Sequence, residues 1–434
     1  MIGRDLLFDD FKFNVDTINH KSLLYPNKLE KDTISAFSSI MLLLCSGISN
    51  DPLYMSYAFQ AGIIQSAILC FLAVVLTQTS FHIFVKTWRF NQENSYISIW
   101  SDCFNKKSSY IPKIFLMGAF ISLSCVTTID ALNQYDHLMI VWANNKQTWY
   151  SSQVFAKYIV SFIFTIPMML HKSFSSMRFM AFIGNSLLII CIACELVLLI
   201  KRIHENGFDP QKKMIFWGKD FNMTVSCFSL FNIVFFAHPF VAMLSEDIQA
   251  VNRSKVCKIT WFTSIISALL NLAGGYLGYL TFYDKMKDDI IFYSFENQKN
   301  VFVAIGSIAC LIKTMLSNSI YVYICAIELF NFFYPYNNTF YFERLFSGLV
   351  VWTLTICISY GSDMLKDGIL NIITDFTFIV LAFILPSVIF LGMFKFKMIY
   401  LSVVSIMEII ICASIGGILL HSSISSFIES YIKN

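Results

Sequence analysis

The stretches LLLCSGISNDPLYMSYAF (residues 42–59) and SLFNIVFFAHPFVAMLSEDIQ (residues 229–249) decide the fold, because each interrupts an apolar run that is long enough to cross a membrane. In the first stretch, Gly47 is conformationally free, Pro52 removes a backbone donor, and the Ser, Asn and Asp residues between them compete for backbone hydrogen bonds. In the second stretch, Pro239 removes a donor in mid-run. Irregular backbone at membrane depth is tolerated only where it lines a cavity, so both breaks are candidate sites.

The rest of the chain has the composition of a membrane protein. Of its 434 residues, 56% are hydrophobic and 14% are charged, whereas soluble domains have about 45–50% and about 25%. The net charge of +3 indicates no acidic partner. This composition excludes a soluble enzyme and a basic nucleic-acid-binding protein, and it predicts the lipid bilayer as the surroundings.

The apolar runs predict an all-α polytopic membrane protein with eleven transmembrane helices, because hydrocarbon requires each segment to satisfy its own backbone groups. The predicted spans are residues 34–57, 62–84, 114–135, 154–170, 180–200, 223–244, 257–280, 301–327, 345–360, 369–392 and 398–420. The predicted organisation is an N-terminal tail (1–33), a transmembrane domain (34–420) and a short C-terminal tail (421–434). The distribution of Lys and Arg between the connections predicts a cytoplasmic N-terminus.

The two breaks lie in spans 1 and 6, so they occupy corresponding positions of two five-span halves. In secondary transporters, paired interruptions of this kind mark the substrate site near the middle of the membrane. A simple proline kink is the alternative for span 6 taken alone.

Lys313 is the sharpest candidate for a functional charge, because it lies near the middle of span 8 in SIACLIKTMLSNSIYVYI (307–324). Its ammonium group must lose its proton, find an anion, or snorkel to an interface. Asp130 in span 3 is a second candidate. His238 either titrates near neutral pH or stays neutral and hydrogen-bonded.

Glu195, Glu408 and a pair of glycines are interpreted as structural rather than functional. Glu195 lies near the end of span 5, where we expect it to be solvated. Glu408 in the last span is expected to make an inter-helix hydrogen bond. Gly274 and Gly278 form a small-xxx-small pair, which predicts close packing of two helices.

Several blocks of the sequence occur together in one known family. The most specific is HPFVAMLSEDIQAVNRSKVCKITWFTSIISALLNLAGGYLGYLTFYDKMKDDIIFYS (238–294), and weaker blocks are MSYAF (55–59), IPMMLHKSFSSMRFMAFIGNS (166–186) and FILPSVIFL (383–391). In these blocks the chain resembles the amino acid/auxin permease family, and within it the sodium-coupled neutral amino acid transporters and the vacuolar amino acid transporters. The resemblance covers roughly residues 33–420. It implies the leucine-transporter-type fold, with two inverted repeats of five helices plus one extra helix.

The resemblance also implies a binding site for an amino acid between the two breaks, where backbone groups would orient its charged ends. The implied substrate-binding residues are Ser46, Gly47, Ile48, Ser49, Asn50, Phe235, Phe236, Ala237 and His238.

The implied ion site departs from the family pattern. The family's sodium site uses an asparagine in span 1 and a threonine in span 8, and the matching positions here are Cys45 and, within one or two residues, Ser317. A thiol is a poor ligand for a hard cation, whereas Lys313 would supply a positive charge, either fixed or titrating. An ionised Asp51 would repel a substrate carboxylate, so we expect it to be protonated, to pair with Lys313 or to face an amine. The candidates for handling the coupling ion or proton are therefore Cys45, Asp51, Lys313, Ser317 and Asp130.

Together these features predict a secondary active transporter that moves amino acids by alternating access, either proton-coupled or otherwise sodium-independent. A sodium-coupled symporter and a non-transporting amino acid sensor of the same fold are the alternatives. An enzyme is not expected, because the H-x4-D pattern in HENGFD (204–209) is short and lies in a connection between spans. No cofactor is expected beyond a coupling H+ or Na+, and no protein partner is indicated. The plasma membrane and the vacuolar or lysosomal membrane both remain open.

Overall fold

In the computed structural model, helices make up the regular structure of the residues that it describes. The structure describes residues 34–47, 51–91, 96–142, 152–171, 173–207, 214–218, 220–247, 255–283, 291–295, 300–333, 341–359 and 369–433. The predicted N-terminal tail, residues 1–33, lies outside these ranges.

The helices of the first half lead from the first break to the end of span 5. They are α1 (Ala36–Gly47), α2 (Asp51–Ala58), α3 (Ile63–Asn91), α4 (Tyr96–Cys103), α5 (Tyr110–Trp142), α6 (153–169) and α7 (Arg178–Asn206). The second half contains α8 (Phe221–Val234), α9 (His238–Asp247), α10 (Val256–Phe282), α11 (Val301–Phe333), α12 (Tyr341–Ser359), α13 (371–394) and α14 (Ile399–Lys433). Helix α14 thus continues through most of the predicted C-terminal tail.

The all-helical membrane architecture is confirmed. Within the described ranges, nine helices are long and apolar enough to cross a membrane. The segments at predicted spans 1 and 4 contain the shorter apolar helices Ala36–Gly47 and Tyr158–Met169. The total of eleven spans therefore stays a prediction, although each predicted span coincides with helical structure.

Both predicted breaks are present. Helix α1 ends at Gly47 and α2 begins at Asp51, while Ile48, Ser49 and Asn50 lie outside the described residues. Helix α8 ends at Val234 and α9 begins at His238. In each case a proline is the second residue of the new half-helix, where its missing N–H leaves no intrahelical bond unmade. The break in span 6 is therefore a true interruption rather than a simple kink.

The glycine pair of span 7 lies where two helices approach closely, as predicted. Ser56 Oγ on α2 donates a hydrogen bond to the carbonyl oxygen of Gly274 on α10 over 3.3 Å. A Cβ atom at Gly274 would overlap the carbonyl group of Pro52, and one at Gly278 would overlap Ser56. Any larger residue would force the half-helix α2 away from α10.

Helix α11 is central to the bundle, since it contacts α1, α5, α6, α7 and α12. The outward faces of other helices carry large apolar side chains, such as Phe71, Phe179 and Leu269, which are exposed by 66%, 70% and 62%. Such surfaces are unfavourable in water and are suited to lipid. The middle of α11, residues 313–326, is buried throughout.

Candidate functional site

The two helix breaks adjoin each other. A Cβ atom placed on Gly47 would lie 3.7 Å from the Cβ of Ala237, 3.8 Å from the carbonyl oxygen of Val234 and 3.9 Å from that of Phe236. These are van der Waals distances, so the end of α1 contacts the irregular segment between α8 and α9. Of the predicted binding residues, Gly47, Phe236 and Ala237 are thus brought together by contact.

The ammonium group of Lys313 caps the end of α1. The side chain is fully buried, and Nζ donates to the carbonyl oxygen of Cys45 over 3.1 Å and to Ser317 Oγ over 2.8 Å. The thiol of Cys45 lies 3.6 Å from Nζ. A helix C-terminus has unpaired carbonyls and a partial negative charge, and both favour a cation there. The alternative in which Lys313 snorkels to an interface is wrong.

One face of α11 contacts α1 over two turns. Lys313, Ser317 and Tyr321 follow at intervals of four residues and therefore lie on the same side of the helix. Ser317 Oγ lies 3.4 Å from the carbonyl oxygen of Cys45, and Tyr321 donates its hydroxyl to the carbonyl of Ser46 over 3.1 Å. Sequence analysis missed Tyr321, although its spacing from Lys313 and Ser317 was a usable signal.

The neighbouring face of α11 is polar and binds α5. The Asn318 amide oxygen accepts from Ser124 Oγ at 2.7 Å, and its nitrogen donates to Thr128 Oγ1 at 2.9 Å. Gln134 Nε2 donates to Thr314 Oγ1 over 3.1 Å. The predicted residue Asp130 is half-buried on α5, one turn before Gln134.

The break in span 6 is surrounded by aromatic rings. Phe236 stacks on Phe378 of α13 with ring centres 4.1 Å apart, and His238 stacks on Phe81 of α3 at 4.0 Å. His238 is fully buried, and neither ring nitrogen has a hydrogen-bond partner among the described residues. The hydrogen bond predicted for a neutral His238 is thus not found among the described residues. The contacts of this segment are dominated by stacking.

A small cavity lies between the two breaks, α3 and α10. Its lining combines residues of the breaks with hydroxyl-bearing residues of α10. It consists of Leu43, Gly47, Phe81, Val234, Phe235, Ala237, Thr260, Thr263, Ser264 and Ser267. Sequence analysis missed the residues of α10, whose spacing of three to four residues places them on one side of the helix.

The remaining predicted residues of the first break are only partly placed. Ser46 is buried, and its hydroxyl donates to the carbonyl of Leu42 within its own helix over 2.8 Å. Asp51 is the first residue of α2, but its side chain is outside what the structure describes. Contact between Asp51 and Lys313 therefore stays a prediction.

Glu408 and Glu195, the two other acidic residues within predicted spans, differ in their hydrogen bonds. Glu408 accepts a hydrogen bond from Ser387 over 2.8 Å, which confirms the expected bond between α14 and α13. Glu195 was expected to be solvated, but it is fully buried, and neither carboxyl oxygen has a hydrogen-bond partner among the described residues. Its distance from the predicted span end was misleading because α7 extends to Asn206 and Glu195 lies on a buried side of it.

An all-helical membrane fold with two adjoining helix breaks defines a secondary-transporter architecture. Similar solved structures include a manganese transporter from Eremococcus coleocola (13% identity, TM-score 0.57, 91% of this chain and 87% of that chain). A second is the nucleobase-cation-symport-1 family transporter Mhp1 in a closed conformation (12% identity, TM-score 0.55, 92% of this chain and 92% of that chain). A third is MhsT in complex with L-phenylalanine (9% identity, TM-score 0.54, 89% of this chain and 100% of that chain). At these identities the similarity shows the fold alone, which is the leucine-transporter-type fold.

The family is shown by the sequence itself. A model of the transmembrane amino acid transporter proteins matches residues 32–429, which is nearly the whole chain. The chain belongs to this family and is an integral, multi-pass membrane protein. No curated protein sequence matches it.

Proposed function

We propose that this protein is a secondary active transporter that carries amino acids by alternating access without requiring sodium, with a proton as the coupling ion or by exchange. Membership of the amino acid transporter family supports the substrate class. The adjoining breaks at Gly47 and Ala237 support alternating access around a central site. The amino acid would bind beside these breaks, and the backbone groups freed there would orient its charged ends.

The observation that carries sodium independence is the position of Lys313 Nζ. It is bound by the carbonyl oxygen of Cys45 and the hydroxyl of Ser317. By the resemblance, Cys45 and, within one or two residues, Ser317 take the positions of the family's sodium ligands. An ammonium group at this place, fixed or titrating, supplies the positive charge that a bound Na+ would supply. It also competes for the same oxygens, so that a sodium ion would have to displace it.

A proton provides a way to couple this charge to transport. Loss of the Lys313 proton would remove the cation from the end of α1, just as release of sodium would in a sodium-coupled relative. The hydrogen bond from Nζ to the Cys45 carbonyl would then lose its charge and weaken, while those from Ser317 and Tyr321 would remain. We propose Asp51 and Asp130 as the other candidates for exchanging this proton.

We also propose that the N-terminus is cytoplasmic, as the distribution of Lys and Arg indicates. The plasma membrane and the vacuolar or lysosomal membrane are the two proposed locations. Protease protection of an N-terminal tag in sealed vesicles would test the orientation.

Uptake into proteoliposomes tests the proposed function. Purified protein would be reconstituted and supplied with a mixed pool of labelled amino acids at acidic and neutral outside pH, in sodium and in choline medium. Protein-free liposomes are the control. We expect uptake that is stimulated by acid outside and equal in sodium and choline.

Two results would contradict the proposal in different ways. Uptake that requires sodium would mean that Lys313 does not occupy the ion site during transport. Binding of an amino acid without uptake, whether the vesicles are empty or preloaded with unlabelled amino acids, would instead identify a sensor of the same fold.

A further inference from the structure

Glu195 places a carboxyl group inside the membrane-spanning helix α7. It is fully buried, and neither of its oxygen atoms has a hydrogen-bond partner among the described residues. A carboxylate ion in apolar surroundings without a partner is very unfavourable, whereas the neutral acid loses only its hydrogen bonds to water. The packing of the protein around Glu195 therefore suits the protonated form.

Contacts between α7 and α11 place Glu195 on the interface of these two helices. The thiol of Cys191 donates to the carbonyl oxygen of Gly306 over 3.5 Å, and a Cβ atom on Gly184 would lie 3.4 Å from Cδ of Lys313. Gly184, Cys191 and Glu195 follow at intervals of seven and four residues, so they share one side of α7. The two contacts give an antiparallel register, in which position 195 falls beside the first turns of α11, about three turns from Lys313.

The described groups around this part of α7 supply no counter-charge for Glu195. The buried cluster that contains Cys191 extends over α2, α7, α10, α11 and the segment Ile291–Ser294. Lys313 binds the Cys45 carbonyl and Ser317, while Arg202, two turns after Glu195, has its guanidinium carbon 5.0 Å from the ring centre of Phe282. The described titratable members of the cluster are thiols and phenols, namely Cys191, Cys194, Cys310, Tyr54 and Tyr57.

Glu195 and Lys313 act on the same thiol. Cys191 lies within electrostatic range of both the Glu195 carboxyl group and the Lys313 ammonium group. A charge on Glu195 is therefore felt along the α7–α11 interface, where Lys313 also holds the carbonyl of Cys45. Ionisation of Glu195 would place an unpaired negative charge in this packed interface and would oppose the packing. An interface that is open to water would instead stabilise the ion.

We propose that Glu195 is a proton-binding site of the transport cycle, protonated when α7 and α11 pack as they do here and ionised when water reaches their interface. The inference rests on the proton-coupled form of the proposed function and adds the residue that carries the coupled proton. When the interface opens, the carboxyl group releases its proton to water and becomes a carboxylate. The carboxylate must take up a proton from solution before the helices pack again, so acid favours this step.

Infrared difference spectroscopy tests the protonation of Glu195 without transport. Glu195→Gln keeps the size of the neutral acid and removes the titratable group. We expect the carbonyl stretching band of a protonated carboxylic acid in the wild type at neutral pH, and we expect E195Q to lack it. Glu195→Asp is the second variant. It keeps an acid at this position, so its band should appear at a shifted frequency even if E195Q does not fold.

Accumulation in proteoliposomes tests the role of this proton in transport. With the membrane voltage held at zero, one coupled proton lets a pH gradient of about one unit sustain an accumulation of about tenfold. We expect E195Q to lose this accumulation, while Glu195→Asp retains it. E195Q should still exchange labelled for unlabelled amino acid at equal pH on both sides, because exchange needs no net movement of protons.

Glu408→Gln is the matched control. Glu408 is also a buried acid within a predicted span, but it lies on the last helix, α14, and accepts a hydrogen bond from Ser387 over 2.8 Å. E408Q should retain both the infrared band of Glu195 and the accumulation driven by the pH gradient.

The outcomes separate this inference from the proposed function. An unchanged infrared band in E195Q would overturn the inference, because Glu195 would then be ionised in the packed protein. Loss of the band with unchanged accumulation would also overturn it, because the proton on Glu195 would then be structural. If the wild type accumulates amino acids in the pH gradient, either result leaves the proposed function intact. If the wild type takes up no amino acid at all, the proposed function fails, and the transport role of Glu195 fails with it.

Discussion

The two breaks in the membrane helices are stabilised by different interactions. At the first, hydrogen bonds from Lys313, Ser317 and Tyr321 hold the carbonyls at the end of α1. At the second, Phe236 and His238 stack on other rings, and the nitrogens of His238 have no described partner.

The difference suggests a division of labour between the breaks. Hydrogen bonds to an ammonium group depend on its charge, so the first break is suited to respond to an ion or a proton. Ring stacking depends on shape and is insensitive to charge, so the second break is suited to admit or exclude a substrate. Each of the two five-helix repeats thus contributes one break, the first stabilised by charged hydrogen bonds and the second by ring stacking.

Replacing Lys313 by methionine would test this comparison most strongly. The side chain keeps a similar length, but the hydrogen bonds to the Cys45 carbonyl and Ser317 are lost. Because hydrogen bonds from charged groups contribute about 1.5–3 kcal/mol, we expect the initial rate of uptake to fall at least about tenfold. The dependence of the remaining uptake on outside pH should also flatten.

The control for Lys313→Met is Lys201→Met on α7, where the ammonium is half-exposed and lies 3.7 Å from Glu205. Surface pairs of this kind contribute little, so its uptake should match the wild type. A normal uptake rate and a normal pH profile of the Lys313→Met protein would show that the first break has no charge-dependent role.

The stacked pair at the second break can be measured with a double-mutant cycle. We expect Phe236→Leu and Phe378→Leu each to lower the free energy of unfolding, with a coupling of about 1 kcal/mol between them. The pair Phe115 and Phe376 is the control, since its rings are tilted by 54° with centres 5.9 Å apart. A coupling below about 0.5 kcal/mol between Phe236 and Phe378 would show that stacking does not stabilise the break.

The hydroxyl of Tyr321 should have a smaller effect. Tyr321→Phe removes the hydrogen bond to the Ser46 carbonyl and should lower the free energy of unfolding by about 1 kcal/mol. Tyr323→Phe is the matched control on the same helix, because its contact with the His171 carbonyl is longer, at 3.5 Å. An equal decrease in the free energy of unfolding of the two variants would mean that the Tyr321 hydroxyl does not specifically stabilise the end of α1.

Much of the fold followed from local sequence features. Apolar runs predict helices because the bilayer allows few alternatives, and Gly47, Pro52 and Pro239 predict the breaks because their backbone chemistry acts within a few residues. The position of Lys313 in mid-span also marked it as functional. These inferences need no knowledge of which helices are neighbours.

What could not be predicted depends on contacts between distant helices. Phe236 stacks on Phe378, 142 residues later, and Ser229 donates a hydrogen bond to Asp375, 146 residues later. Glu195 was misjudged for the same reason, because its burial is caused by other helices and not by its position in the run. Spacing along one helix would have identified Tyr321, but not the carbonyl that it binds.

The smallest expected effect is that of His238→Phe. The ring of His238 stacks on Phe81, and phenylalanine preserves that contact while removing two buried nitrogens that lack described partners. Removing polar atoms without partners is close to neutral or stabilising, so we expect the free energy of unfolding to change by less than about 0.5 kcal/mol. Uptake should stay within about twofold of the wild type, as a shape-based role for the second break requires. A stable His238→Phe protein with uptake reduced tenfold would mean that a ring nitrogen binds the substrate or a proton during transport. In that case both breaks would depend on polar chemistry, and the proposed division of labour between them would be wrong.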